Sequence, residues 1–95
     1  MANEKASFIQ AFSKIGLIPD SAGTFFLPRL IGMQKATSLM MTAEPISAKE
    51  ALDMGMIYKV YSDEDFISES WNLVSKLAKM PTKGLGLTKL SLIHI

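Results

Sequence analysis

The chain contains no cysteine and only one histidine among its 95 residues. Without cysteine, disulfide bonds, thiolate-ligated zinc and thiol nucleophiles are all excluded. The histidine, His94, lies next to the end of the sequence. A Ser-His-Asp triad needs an imidazole that is held rigidly, and a chain end rarely provides this, so we interpret His94 as incidental. The acidic residues are scattered without metal-ligand spacing, and we predict no metal site.

An excess of charge of one sign is also missing. Ten Lys and Arg residues are balanced by nine Asp and Glu residues, which leaves a net charge of +1. No basic stripe is present that would displace counterions from DNA or RNA, so nucleic acid is not an expected partner. No segment approaches the roughly 18 consecutive apolar residues of a membrane span, and the first five residues lack the apolar core of a signal peptide. We therefore expect a cytoplasmic protein without a membrane partner.

Apolar side chains, in contrast, are abundant. Hydrophobic residues make up 48% of the sequence, which excludes an intrinsically disordered chain. They are dense near the C-terminal end, at Leu85, Leu87, Leu90, Leu92, Ile93 and Ile95. So much apolar surface is unfavourable in water, and we expect the chain to pack against further structure and to fold poorly alone. The seven methionines we interpret as flexible core filler rather than as a ligand surface.

The order of the predicted elements indicates an α/β chain. Branched and aromatic side chains predict one strand over residues 6–12 and another over 57–61. Helices are predicted over residues 22–31, over 33–41, between Ser47 and Gly55, over 64–79, and from Pro81 onward. Two short strands separated by helices cannot form an independent sheet. We therefore expect part of a larger layered α/β structure.

Polar residues at the predicted helix ends set their boundaries. Ser47 and Glu50 have the spacing of a capping box. Asp20 or Ser21 is the expected N-cap of the first helix, which Pro28 should bend, and Ser62 or Asp63 is the expected N-cap of the fourth. Two apolar faces follow from helical spacing, one at Met33, Ala36, Leu39 and Met40 and one at Phe66, Ile67, Trp71, Val74 and Leu77.

Asp20 is the candidate for chemistry, and two interpretations are open. As an N-cap, its carboxylate would accept a hydrogen bond from the first helical turn, worth about 1 kcal/mol. As a general base, it would be held in an apolar pocket and take a proton from a substrate. Spacing alone favours the cap. The neighbouring apolar residues that would form such a pocket are Phe12, Ile15, Leu17, Ile18, Phe25 and Phe26. Of these, Phe12, Ile15, Leu17 and Phe25 are the ones expected to contact a substrate.

Several separated blocks of residues, between positions 6 and 90, carry a family resemblance. They include the motifs Gly16-Leu17-Ile18-Pro19-Asp20-Ser21-Ala22-Gly23-Thr24, Leu27-Pro28-Arg29-Leu30-Ile31-Gly32, Ile46-Ser47-Ala48-Lys49-Glu50-Ala51 and Pro81-Thr82-Lys83-Gly84-Leu85-Gly86-Leu87-Thr88-Lys89. In this order they resemble the crotonase family of enoyl-CoA hydratases and isomerases. The last block is similar to the ring-isomerase branch, the phenylacetate-pathway enzymes acting on 2-(1,2-epoxy-1,2-dihydrophenyl)acetyl-CoA.

The resemblance implies a partial crotonase-like (ClpP/crotonase) spiral βαβ fold, mostly helical with two short strands. Residues 1–62 would be the later part of the crotonase core, and 63–95 the start of the helical region that builds trimers or hexamers. The chain would start beyond the segments that supply the oxyanion-hole amides, which stabilise an enolate. We therefore expect no catalysis by these 95 residues alone. A non-catalytic oligomerisation remnant is the alternative.

The resemblance also implies a chemistry for Asp20. Isomerase branches of the family place a carboxylate at this position, where it moves a proton between two carbons of an acyl-CoA thioester; no cofactor besides the thioester carrier is implied. Dehalogenase relatives use such a carboxylate as a nucleophile. Hydratases carry a glutamate where Phe12 stands, and a phenyl ring cannot accept a proton, so hydration is disfavoured. One departure is Ala22, where related sequences carry a second glycine; a left-handed backbone there would cost Ala roughly 1 kcal/mol.

Overall fold

The computed structural model describes residues 1–94. Its helices are α1 (Gly23–Ile31), α2 (Met33–Thr42), α3 (Ala48–Asp53), α4 (Phe66–Ala78) and α5 (Thr82–Ile93). Its strands are β1 (Ala2–Asn3), β2 (Ser7–Phe8), β3 (Ile46–Ser47) and β4 (Val60–Tyr61), and a short 3₁₀-helix spans Ala11–Ile15. Contacts divide the chain into two units, of which the first is Met1–Glu64 and the second begins at Asp65. The division falls close to the predicted boundary at residue 62.

The strands of the first unit form two separate ladders. β1 runs parallel to β4, with Ala2 opposite Val60, and β2 runs antiparallel to β3, with Phe8 opposite Ile46. The four strands are more numerous and shorter than the two that the sequence predicts. The predicted strand over 6–12 is wrong beyond Phe8 because no partner strand continues the ladder there. The chain instead turns into the 3₁₀-helix, which Gly16 closes in a left-handed conformation with φ 72°.

α1 and α2 are the pair of helices that builds the core of the first unit. α1 continues across Pro28 to Ile31, where Pro28 removes one backbone donor, and the bend expected there stays a prediction. Gly32 then separates the two helices, with φ 88°. The main buried cluster consists of Leu27, Ile31, Ala36 and Leu39, with Met40, Ile46, Met54 and Met56 packed against it. Of the face predicted on α2, only Met33 is outside this cluster.

α3 begins with the capping box that the sequence predicts. The backbone N–H of Ser47 donates to the Glu50 carboxylate at 2.8 Å, and the N–H of Glu50 donates to the Ser47 hydroxyl at 3.1 Å. The helix ends before Gly55, which has φ 85°. A side chain at Gly55 would have its Cβ 3.2 Å from the carbonyl oxygen of Leu30, so the close approach of these segments also favours glycine.

The second unit contains α4 and α5, and no residue of either helix is buried. The apolar stripe predicted on α4 is present but is not buried, since Trp71 is 65% exposed. Asp63 does not cap α4; its carboxylate accepts hydrogen bonds from Asn3 and Lys5 instead. Among residues 1–94, no helix has the length and apolar character that crossing a membrane requires.

Candidate functional site

An apolar groove of about 520 Å³ lies in the first unit. Its volume is in the range of small-molecule sites, about 300–1,000 Å³. The segments that form it are the 3₁₀-helix, the loop that follows, α1 and α2. Its lining residues are Ser13, Leu17, Ile18, Pro19, Thr24, Pro28, Met33, Ala36, Thr37, Met40 and Met41. The groove is therefore the site in this unit with the shape and chemistry to accept an apolar group.

Two kinds of residue form the two sides of the groove. The loop and α1 provide branched and cyclic side chains, at Leu17, Ile18, Pro19 and Pro28. α2 provides three unbranched thioether side chains, at Met33, Met40 and Met41. Ala36, which is fully buried, lets α2 pack closely against α1 and leaves space above it for the groove. The polar side chains of the lining are the hydroxyl groups of Ser13, Thr24 and Thr37, and none of the lining residues is charged.

Asp20 follows Pro19, the last loop residue of the groove lining, and is exposed to solvent. It does not cap α1 through its side chain, so the predicted N-cap is wrong. The physical reason is the turn that follows: Ser21 and Ala22 both have a left-handed backbone, with φ 50° and 58°. This turn brings the carbonyl of Ala22 within 2.9 and 3.0 Å of the amides of Phe25 and Phe26, and the backbone itself thus satisfies the first helical turn.

The residues predicted to contact a substrate separate into two groups. Leu17 lines the groove, as does Ile18. Phe12, Ile15 and Phe25 do not belong to the lining, and the last two are exposed. The ring of Phe25 instead lies under the guanidinium of Arg29, whose Cζ is 3.5 Å from the ring centroid. The apolar enclosure expected around Asp20 is therefore not formed by these neighbours.

The methionines of α2 are the groove residues that sequence reasoning missed. They were predicted as core filler, yet Met33, Met40 and Met41 line the groove, and Met33 and Met41 are 70% and 75% exposed. A signal was available, because positions 33, 37, 40 and 41 recur at helical spacing along one side of α2. Spacing alone did not show whether that side faces the core or a groove.

A polar cluster joins the segment of β1 and the residues after it to the residues that follow β4. The Asp63 carboxylate accepts from Asn3 Nδ2 at 2.7 Å and pairs with Lys5 Nζ at 2.8 Å. These two hydrogen bonds, that of Lys5 first, hold the pKa of Asp63 below its ordinary value of 3.8. We interpret the cluster as structural, because its side chains bind one another. Within residues 1–94, no group of three acidic or histidine side chains is placed to hold a metal ion.

The matching family model, described as Enoyl-CoA hydratase/isomerase, covers residues 1–93. The chain belongs to this family. Its structure is part of the crotonase fold, as the resemblance implied: a solved enoyl-CoA hydratase from Mycobacterium avium subsp. paratuberculosis K-10 superimposes with a TM-score of 0.90 at 31% identity, over 95% of this chain and 37% of that one.

Of the several curated relatives named as isomerases, two are at least 40% identical to this chain. The 1,2-epoxyphenylacetyl-CoA isomerase of Escherichia coli (strain K12) is 44% identical over 89 residues, which is 94% of this chain and 34% of the relative. The trans-2-decenoyl-[acyl-carrier-protein] isomerase of Streptococcus mutans is 40% identical over 79 residues, 83% of this chain and 30% of the relative. The chain thus spans about a third of the length of the curated relatives it matches.

Proposed function

We propose that this chain forms the acyl-binding part of an isomerase that acts on acyl-CoA thioesters. The reaction is the shift of a double bond, or the isomerisation of a ring epoxide, by proton transfer through the Asp20 carboxylate. The observation that carries the proposal is the position of Asp20, which directly follows Pro19 at the edge of the apolar groove. Membership of the family and the two relatives named as isomerases support it.

The groove and the carboxylate have complementary tasks in this proposal. The groove removes the apolar acyl group from water, which is favourable by about 25 cal/mol per Å² of apolar surface buried. Asp20, outside the groove lining, is free to reach a carbon near the thioester carbonyl. Because a thioester carbonyl delocalises the charge left on the neighbouring carbon, a carboxylate can remove a proton there and return it to another carbon.

The residue at position 12 favours isomerisation over hydration. Hydration in this family needs a glutamate where Phe12 stands, and Phe12 offers no proton acceptor. The amides that stabilise the enolate oxygen would come from outside these 95 residues. For the whole protein we propose a trimer or hexamer in the cytoplasm, with the acyl-CoA thioester as its substrate and no other cofactor.

A chimera tests the function, because the chain spans only part of its relatives. The 89 matching residues of the Escherichia coli isomerase are replaced by this chain, and isomerisation of acyl-CoA substrates is measured. Asp20→Asn should lower kcat by about 10²–10⁴, the usual contribution of a general base. Asp53→Asn is the matched control, since Asp53 pairs with Lys49 on α3 away from the groove, and should leave kcat unchanged.

Three results would contradict the proposal. The first is an Asp20→Asn chimera with the kcat of the parent chimera. The second is a chimera that adds water to 2-enoyl-CoA or displaces halide from a halobenzoyl-CoA but does not isomerise, which would indicate a hydratase or a dehalogenase. The third is a chimera that folds and assembles without any activity, which would indicate an oligomerisation remnant.

A further inference from the structure

The methionine side of the groove suggests a determinant of substrate range. We propose that Met33, Met40 and Met41 make the groove accept both straight-chain and ring-bearing acyl groups. This inference rests on the proposed function, because it takes the acyl group of a thioester as the occupant of the groove. It concerns which acyl groups fit, whereas the proposed function concerns what Asp20 does to them.

The distribution of methionine carries the inference. Three of the seven methionines of the chain line this one groove. All three lie on α2, and together with Ala36 and Thr37 they make up the whole contribution of that helix to the lining. Three of the five side chains on this side of the groove are therefore unbranched and polarisable.

The two sides differ in how far they can change shape. Pro19 and Pro28 have ring side chains, and Ile18 is branched at Cβ and restricted in rotation. A methionine side chain has three rotatable bonds and a polarisable sulfur, so it adapts to ligands of different outline and packs well against aromatic rings. The groove thus combines one fixed side with one that is deformable.

The three methionines differ in solvent exposure, and this difference indicates different roles. Met40 packs against the buried core and is held by it. Met33 and Met41 are outside that cluster and largely exposed, so their side chains can change rotamer without disturbing the core. These two are therefore the specificity-determining residues: they close on a narrow alkyl chain and move apart for a ring.

Methyl-labelled protein tests the inference directly. The chimera is prepared with ¹³C-methyl methionine, and its methyl resonances are followed during titration with the N-acetylcysteamine thioesters of octanoic and phenylacetic acid. The methyl signals of Met33, Met40 and Met41 should shift with both thioesters, and that of Met80, which is outside the groove, should not. The two dissociation constants should differ by less than about threefold.

Replacing the flexible methionines by branched residues should narrow the range of acyl groups that the groove binds. In Met33→Ile/Met41→Ile the dissociation constants for the two thioesters should separate by about tenfold, the usual effect of a misfit of one methylene in an apolar pocket. Met33→Leu/Met41→Leu is a second variant that preserves helix-forming side chains, and should give a smaller separation in the same direction. Met80→Ile is the matched control and should leave both constants unchanged.

Each contrary result overturns the inference. One is a tenfold difference between the two dissociation constants before any substitution, and another is methionine variants that keep the unsubstituted constants. A third is a Met80→Ile control whose constants separate as much as those of the groove variants. The last is the absence of any shift in the methyl signals of the groove methionines. The failure of the proposed function is recognised separately, because it appears in the kcat of the Asp20→Asn chimera and not in these binding constants.

Discussion

The amide of Gly23 donates a hydrogen bond of 2.9 Å to the carbonyl of Asp20, and this bond closes the turn that carries the candidate base. Ser21 and Ala22, the two residues inside the turn, both have positive φ, although neither is glycine. The direction in which the Asp20 side chain leaves the backbone is thus fixed by a turn that is itself strained.

Replacing the second of these residues should relieve the strain. Ala22→Gly removes a Cβ from a backbone with φ 58°, and we expect the free energy of unfolding to increase by about 1 kcal/mol. Urea denaturation measures the change. Gln34→Gly, in the right-handed backbone of α2, is the control and should lower stability by about 0.5–1 kcal/mol. A loss of stability in both variants would contradict the role assigned to the turn.

Loss of the capping box should destabilise the first unit. Ser47→Ala removes the hydroxyl that accepts from the Glu50 amide at 3.1 Å, and should lower the free energy of unfolding by about 1 kcal/mol. Ser38→Ala, on the exposed side of α2, is the control and should change it by less than about 0.5 kcal/mol. Equal effects in the two variants would show that the cap contributes no more than an ordinary surface serine.

The Asp63 cluster should make the stability of the first unit depend on pH in the acid range. Hydrogen bonds from Lys5 and Asn3 lower the pKa of Asp63 in the folded state below its ordinary value of 3.8. The stabilisation is therefore fully present above the ordinary pKa and is lost as the pH falls through the lower folded value. Urea midpoints measured between neutral pH and the acid limit should show this fall, and Asp63→Asn should reduce it.

Lys5→Met is the matched test of the same cluster, because it removes the first cause of the pKa shift and leaves Asp63 in place. It should reduce the acid-range fall in stability, as Asp63→Asn does. High salt should do likewise, since the pair is exposed and therefore screened. If stability falls in the acid range by the same amount in both variants, the loss comes from the protonation of other carboxylates.

Local signals predicted the helices well, and the strands and the groove only in part. Gly32 and the Ser47–Glu50 box mark helix ends through neighbouring residues, so α1, α2 and α3 follow from the sequence. β1 was missed because Ala2 and Asn3 are a strand only through pairing with Val60 and Tyr61, far along the chain. Such pairing leaves no local pattern in strands of two residues.

The lining of the groove shows the same limit of prediction from local sequence. Leu17 was predicted to contact a substrate because it lies near Asp20 in sequence, and it does line the groove. Met33 and Met41 were not predicted to line a groove, because their position depends on how α2 packs against α1. The family resemblance identified Asp20 as the candidate base, and that role stays a prediction.

The most direct test of the central claim is the exchange of substrate hydrogen with solvent. The chimera is incubated with an enoyl-CoA in heavy water, and deuterium in the recovered thioester is measured by mass spectrometry. Because Asp20 is exposed, a proton taken up by its carboxyl group can exchange with solvent before it is returned to the substrate. The chimera and its Asp53→Asn control should therefore incorporate deuterium, and Asp20→Asn should reduce the rate by about 10²-fold or more. Incorporation at an unchanged rate in Asp20→Asn would contradict the account.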